Sequence, residues 1–212
     1  YFMVLHLMIA GRLRWLPAGA KPPGKLALAA MDFDHGTLVF TEAGTRKRAS
    51  LHLAQGQSAL HAFDMQGLDV LACSAQAFTA RLQAENHTLK RALTDPRAFS
   101  GIGNAYSDEI LHRAMFSPFA LTQDLSKVEV ERLFPATRAV LQEWIERLRA
   151  QTGAEFQEHV TAFRAEMAVH GKHGQPCPVC GAPVQRIVYA ENETNYCARC
   201  QTGDRLLADR AL

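Results

Sequence analysis

The chain has no apolar run long enough to cross a bilayer. Its longest, Tyr1 to Ala10, is interrupted by His6 and falls far short of the roughly 20 residues that a membrane helix needs. No basic stretch stands ahead of that run, as a secretory signal would require, so the expectation is a cytoplasmic protein with no membrane partner. There is no large excess of charge either. The 23 Lys and Arg against 21 Asp and Glu leave a formal +2, too little to mark the whole surface as a partner for a polyanion. Cysteine is scarce and mostly committed: of five, four stand in two CxxC pairs, which leaves Cys73 beside Val70, Leu71 and Ala72. A disulfide framework does not fit that usage, and Cys73 reads as a small buried hydrophobe. Internal repeats and low-complexity tracts are missing too. With 48% hydrophobic and 21% charged residues over 212 positions, the chain is ordinary globular material for one sizeable core or two modest ones.

What is present begins with the cysteines. Cys177 and Cys180, then sixteen residues, then Cys197 and Cys200 have the spacing of a four-thiolate zinc site. Each CxxC turn offers two sulfurs, and Gly181 to Tyr196 is long enough for a β-hairpin that returns the second pair to the first. One structural Zn²⁺ is expected, because four sulfurs leave no open position for chemistry. The Pro176-Cys177-Pro178-Val179-Cys180 run also suits a zinc deaminase, but that chemistry needs an upstream HxE. His159, His170 and His173 are followed two residues later by Thr161, Lys172 and Gln175, so the motif is missing.

Residues 1 to about 55 read as β structure: Phe2 to Ile9, Leu26 to Phe33, Thr37 to Thr41 and Ser50 to Leu53. Asp34-His35-Gly36 between two of these runs is a hairpin signal, while Pro17, Pro22, Pro23 and Gly24 mark a loop. Seven basic residues against three acidic ones in positions 1 to 50 make a local basic surface plausible, with Arg46-Lys47-Arg48 as its densest part. From about 74 to 168 the pattern is helical. Val130, Leu133, Phe134, Thr137, Val140, Leu141, Trp144, Ile145 and Leu148 paint one helical face. Ser126 with Glu129 predicts a capping box, and Pro135 predicts a kink or a helix that begins near Phe134. Gly101-Ile102-Gly103-Asn104 precedes a helix expected over about Ala105 to Met115. Two glycines at a helix start bare backbone N–H groups to an anion such as phosphate, and Asn104 can cap that helix or donate from its amide.

Three stretches in this order, Glu85-Asn86-His87-Thr88-Leu89-Lys90-Arg91-Ala92-Leu93, Gly101-Ile102-Gly103-Asn104-Ala105-Tyr106-Ser107-Asp108-Glu109-Ile110-Leu111 and Cys197-Ala198-Arg199-Cys200-Gln201, resemble the formamidopyrimidine-DNA glycosylase and endonuclease VIII family. His6 to Leu13 is similar to the strand of that family's N-terminal β-sandwich that faces DNA. The resemblance implies base-excision repair of damaged double-stranded DNA. An oxidised base is flipped out, its glycosidic bond is cleaved through a Schiff base, and the strand is nicked by an AP lyase step. Extruding a base costs a few kcal/mol, offset by kinking the duplex and filling the vacated stack. By position the resemblance makes Lys90, Gly103 and Asn104 phosphate-binding residues and His6 a backbone contact. It puts Asn192 where the family's finger carries an arginine that enters the groove. Ile9 falls at the void-filling methionine, with Arg46, Lys47 and Arg48 as candidates for its companions. The family's nucleophilic N-terminal proline, its glutamate and its hairpin lysine belong to segments with no counterpart among these residues, so no catalytic residue is assigned in this stretch. A non-catalytic zinc-containing DNA-binding module is the alternative. The expected architecture is α+β and monomeric: a partial β-sandwich at 1–70, a helix-two-turn-helix domain at 74–170, a four-cysteine hairpin at 171–203 and a tail at 204–212.

Overall fold

The structure is a computed structural model that describes residues 1–158, 160–189 and 192–208, with the backbone alone for Tyr189 and Asn192. It is α+β and divides into two compact units, Tyr1–Asp64 with Arg149–Thr161, and Met65–Leu148 with the chain from Ala162 onward. The finger therefore shares a unit with the helices instead of standing as a third body, and the first boundary falls at 64 rather than 70. No helix among the described residues is long and apolar enough to cross a membrane.

The first unit holds β1 (Phe2–His6), β2 (Gly11–Leu16), β3 (Ala27–Phe33), β4 (Gly36–Glu42), β5 (Ser50–Ala54) and the short helix α1 (Gly56–Leu60). β1 pairs with β5, and β4 lies between β2 and β3, all antiparallel. The central position of β4 is why nearly all of it is buried, including Val39, Phe40, Thr41 and Glu42. The predicted hairpin forms: Phe33 faces Gly36 across Asp34 and His35, and the Asp32 carboxylate accepts from the Thr37 hydroxyl at 2.6 Å. The expected first strand, Phe2 to Ile9, is corrected. The chain turns over Leu7 to Ala10 and returns as β2, whose alternation of Arg12, Leu13, Arg14 and Trp15 carries a period of two. The turn is tight, closed by the Gly11 amide on the Leu7 carbonyl at 2.8 Å. A Cβ at Gly11 would sit 2.2 Å from that same oxygen, so only glycine fits.

In the second unit α2 (Ala75–Leu82), α3 (Leu89–Thr94), α4 (Asn104–Arg113) and α5 (Lys127–Thr152), whose residues from Arg149 on are counted in the first unit, surround an apolar core. Ser74 and Thr88 cap α2 and α3 through side-chain oxygens that accept from the amides three residues on. Phe78 lies at the centre, its ring 4.9 Å from Phe99 and 5.1 Å from Phe134. The capping box is present, with the Ser126 amide 2.8 Å from Glu129 Oε2 and the Glu129 amide 3.3 Å from Ser126 Oγ. The start near Phe134 is therefore wrong, since α5 begins at Lys127 and runs through Pro135. Pro135 is exposed, and the Glu131 carbonyl it leaves unbonded belongs to an exposed residue on a face that water can reach. The helical pattern also stops sixteen residues early, since α5 ends at Thr152, where Gly153 closes the last turn onto the Arg149 carbonyl at 2.9 Å. The chain ends in the antiparallel hairpin β6 (Val184–Tyr189) and β7 (Asn192–Cys197), followed by α6 (Ala198–Thr202).

Candidate nucleic-acid interface

The four cysteines converge. The first pair sits on a turn closed by the Gly181 amide on the Cys177 carbonyl, and the second at the end of β7 and in α6. The ladder pairs Val184 with Cys197, which brings the two corners together, and all four sulfurs lie within 4.8 Å of one another. Sulfurs about 2.3 Å from one tetrahedral zinc stand roughly 3.8 Å apart. The separations of 3.9 Å for Cys177–Cys200 and 3.4 Å for Cys180–Cys197 match, so the residues fit the ion. The Ala182 amide draws the Cys180 thiol down to about 7, whereas burial pushes Cys197 and Cys200 up. A divalent cation resolves that conflict by displacing the remaining protons.

One face of α4 is built to hold this finger. Positions 104, 108 and 112 follow one another at helical spacing, and each reaches a different part of it. Asn104 Nδ2 donates to the Glu193 carbonyl on β7 at 2.7 Å. Asp108 Oδ2 accepts from the Asn195 amide at 3.0 Å and lies 2.8 Å from His170 Nδ1. His112 Nε2 lies 3.2 Å from Cys177 Sγ. Beside them the Glu109 carboxylate accepts from the amides of Ala168, Val169 and His170 at 2.8 to 2.9 Å. From α6, Gln201 bridges the Cys197 amide and the Phe116 carbonyl. A carboxylate that accepts several N–H bonds satisfies its own desolvation while it orders the segment that supplies them.

The N-terminus of α4 faces outward. Gly103, not Asn104, is its cap, and no side chain closes it, so the expectation that Asn104 caps the helix is overturned. The Ser107 amide closes the first turn onto the Gly103 carbonyl at 3.0 Å, so the amides of Asn104, Ala105 and Tyr106 have no carbonyl of their own helix to meet. Gly101 needs to be glycine for its φ of +76°, but Gly103 has an ordinary φ of −101° and a Cβ there would meet nothing within 4 Å. Its bare backbone is space that the fold does not use and an anion can approach.

Lys90 is placed differently from the expectation of a phosphate contact. Its side chain is 6% exposed, and Nζ donates to the Asn104 carbonyl and Ser107 Oγ at 2.8 Å and to Asp108 Oδ1 at 2.5 Å. All three ammonium hydrogens are engaged inside the unit. Burial lowers its pKa and the Asp108 charge opposes that shift. Lys90 thus anchors the start of α4 from beneath.

In the first unit the connections 7–10 and 43–49 lie side by side. His6 pairs with Ser50 and Gly11 with Glu42, so both loops join the same two ladders at the same end. They gather exposed His6, Ile9, Arg46, Lys47 and Arg48 on one edge, with Ile9 77% exposed. The buried Glu42 carboxylate shapes that edge by accepting from the amides of Arg48 at 3.0 Å and Ala49 at 3.3 Å, while Lys47 Nζ meets the Glu42 carbonyl. The backbone of Asn192 opens β7, whereas its side chain lies outside the described residues. Glu42, Asp108, Glu109, His112 and His170 were not legible as site residues. Their partners lie up to 87 positions away, although the spacing of Asp108, Glu109 and His112 on a helix otherwise facing the core was a signal.

The Formamidopyrimidine-DNA glycosylase H2TH domain model matches residues 68–156, and the model for the zinc finger found in FPG and IleRS matches residues 174–203. A formamidopyrimidine-DNA glycosylase-like protein of Mycobacterium tuberculosis is 38% identical over 146 residues, 69% of this chain and 90% of that protein. The formamidopyrimidine-DNA glycosylase of Roseiflexus is 34% identical over 94% of this chain and 74% of its own, and that of Thermus thermophilus 39% over 58% and 48%. In solved structures the fold is similar to Lactococcus lactis Fpg in complex with DNA containing an abasic site, with a TM-score of 0.79 at 26% identity over 94% of this chain and 74% of that one. The two models cover the glycine-tipped α4 and the paired cysteine corners, and with these relatives the chain belongs to the formamidopyrimidine-DNA glycosylase family.

Proposed function

We propose that this chain grips damaged double-stranded DNA for base-excision repair, as part of a DNA glycosylase with AP lyase activity that removes oxidised bases. The observation that carries the reading is the start of α4. Its unpaired amides, the bare Gly103 backbone and the Asn104 side chain lie together, and the finger is fastened alongside through Glu193 and Asn195. One Asn104 amide hydrogen is engaged by Glu193, which leaves the second for a phosphate oxygen. Lys90 serves this grip by holding the Asn104 carbonyl from inside. The edge formed by His6, Ile9 and Arg46 to Arg48 combines an exposed apolar side chain with cations, which suits a strand whose base has left the stack. In this reading the protein is cytoplasmic, associated with the nucleoid and a monomer.

Replacing Asn104 with alanine should weaken binding to duplex DNA containing an abasic-site analogue by about 1–3 kcal/mol, read by fluorescence anisotropy across a salt series. A fall in melting temperature with unchanged affinity would reduce Asn104 to a tether for the finger. Catalysis is tested separately, by borohydride trapping of the natural gene product on DNA with an oxidised guanine. A covalent adduct is expected from Schiff-base chemistry. Tight binding without an adduct would favour the non-catalytic module.

A further inference from the structure

Four thiolates around one divalent ion leave two negative charges in excess, and a buried site must answer them with N–H donors. Backbone amides do so for two of the sulfurs, Ala182 N–H at Cys180 and Cys200 N–H at Cys197. At Cys177, which is 3% exposed, the donor comes from another element: the His112 ring, two turns along α4 from Asn104 and itself 6% exposed, with Nε2 3.2 Å from the sulfur.

We infer that His112 is a positioning residue for the metal site, donating an Nε2–H···Sγ bond to the Cys177 thiolate and so fastening the metal's charge to α4. A metal-bound thiolate carries no proton and can only accept, so the hydrogen in this contact belongs to the imidazole and its tautomer is Nε2–H. The bond has two consequences. It lowers the electron density on Cys177 and slows loss of the ligand, and it orients the first CxxC corner against the helix that bears Asn104.

The test uses the zinc-loaded protein and its His112→Gln and His112→Leu variants. Zinc release to a metallochromic chelator should be about 10- to 100-fold faster in His112→Leu, the usual effect of deleting an outer-shell partner, and close to the parent rate in His112→Gln, whose amide can still donate. In the cobalt(II)-substituted proteins the sulfur-to-metal charge-transfer band should shift in the leucine variant alone. Parental release by His112→Leu, or equal acceleration in both variants, overturns the inference. A second measurement needs no variant and decides the matter if His112→Leu does not fold. Nitrogen-15 NMR of the parent loaded with cadmium-113 should show the Nε2–H tautomer, with coupling between that proton and the metal. An Nδ1–H tautomer refutes the assignment.

Discussion

Removing the zinc with a chelator should unfold the finger and lower affinity for damaged duplex by roughly 100-fold or more, while α2 to α5 stay folded. The finger has almost no core of its own. Its buried apolar residues form two small clusters, Cys177, Ala182, Val184 and Cys197 packed with Val169, and Ile187, Tyr196 and Ala198, so two of these eight are themselves metal ligands. In zinc-finger peptides the metal supplies about 10–16 kcal/mol of folding free energy, and clusters this small cannot hold the hairpin closed once that is lost. The helical core, from Phe78 to Trp144, contains none of the ligands and should keep its helicity. Loss of β7 removes Glu193 and Asn195 from the face of α4, which frees Asn104 and opens Asp108 to water. Two weakened grips at about 1.5–3 kcal/mol each account for the expected fall, since every 1.4 kcal/mol is tenfold. Circular dichroism and anisotropy after chelation, with recovery on adding zinc back, check this. Undiminished affinity in the metal-free protein would remove the finger from the grip.

Asp108→Asn should cost about 3–5 kcal/mol of stability, the usual penalty when one partner of a buried ion pair is removed. Its carboxylate is fully buried, with Lys90 on one oxygen and His170 and the Asn195 amide on the other. An asparagine keeps the shape but leaves the Lys90 ammonium without a counter-charge, at 6% exposure. The Arg113–Glu143 pair provides the contrast, because its side chains are 51% and 40% exposed. Glu143→Gln should therefore cost less than about 1 kcal/mol. Urea unfolding at neutral pH gives both numbers. Equal losses in the two variants would show that burial adds nothing to the Asp108 pair.

Much of the molecule was written in short-range spacing. The two CxxC corners, the Asp34-His35 hairpin, the Ser126–Glu129 capping box and the glycines ahead of α4 depend on residues a few positions apart. Their local geometry follows from covalent reach. The stripe on α5 is similar, since a period of 3.6 declares its buried face. The strand β2 was missed because Phe2 to Ile9 was read as one unbroken strand, which hid the turn over Leu7 to Ala10, although the alternation of Arg12 to Trp15 was a signal. The real end of α5 was missed because apolar residues continue beyond Gly153.

The roles of individual polar residues were settled by folding alone. Lys90 looks the same in one dimension whether it meets a phosphate or a carboxylate, and it was burial beside Asp108 that chose. Asn104 had the composition of a cap, yet its amide was drawn to a strand 89 positions away. His112 gained meaning only when α4 was laid against Cys177, 65 positions along. Desolvation makes a buried polar group seek a partner, but which partner is in reach is a property of packing, and packing is absent from local pattern.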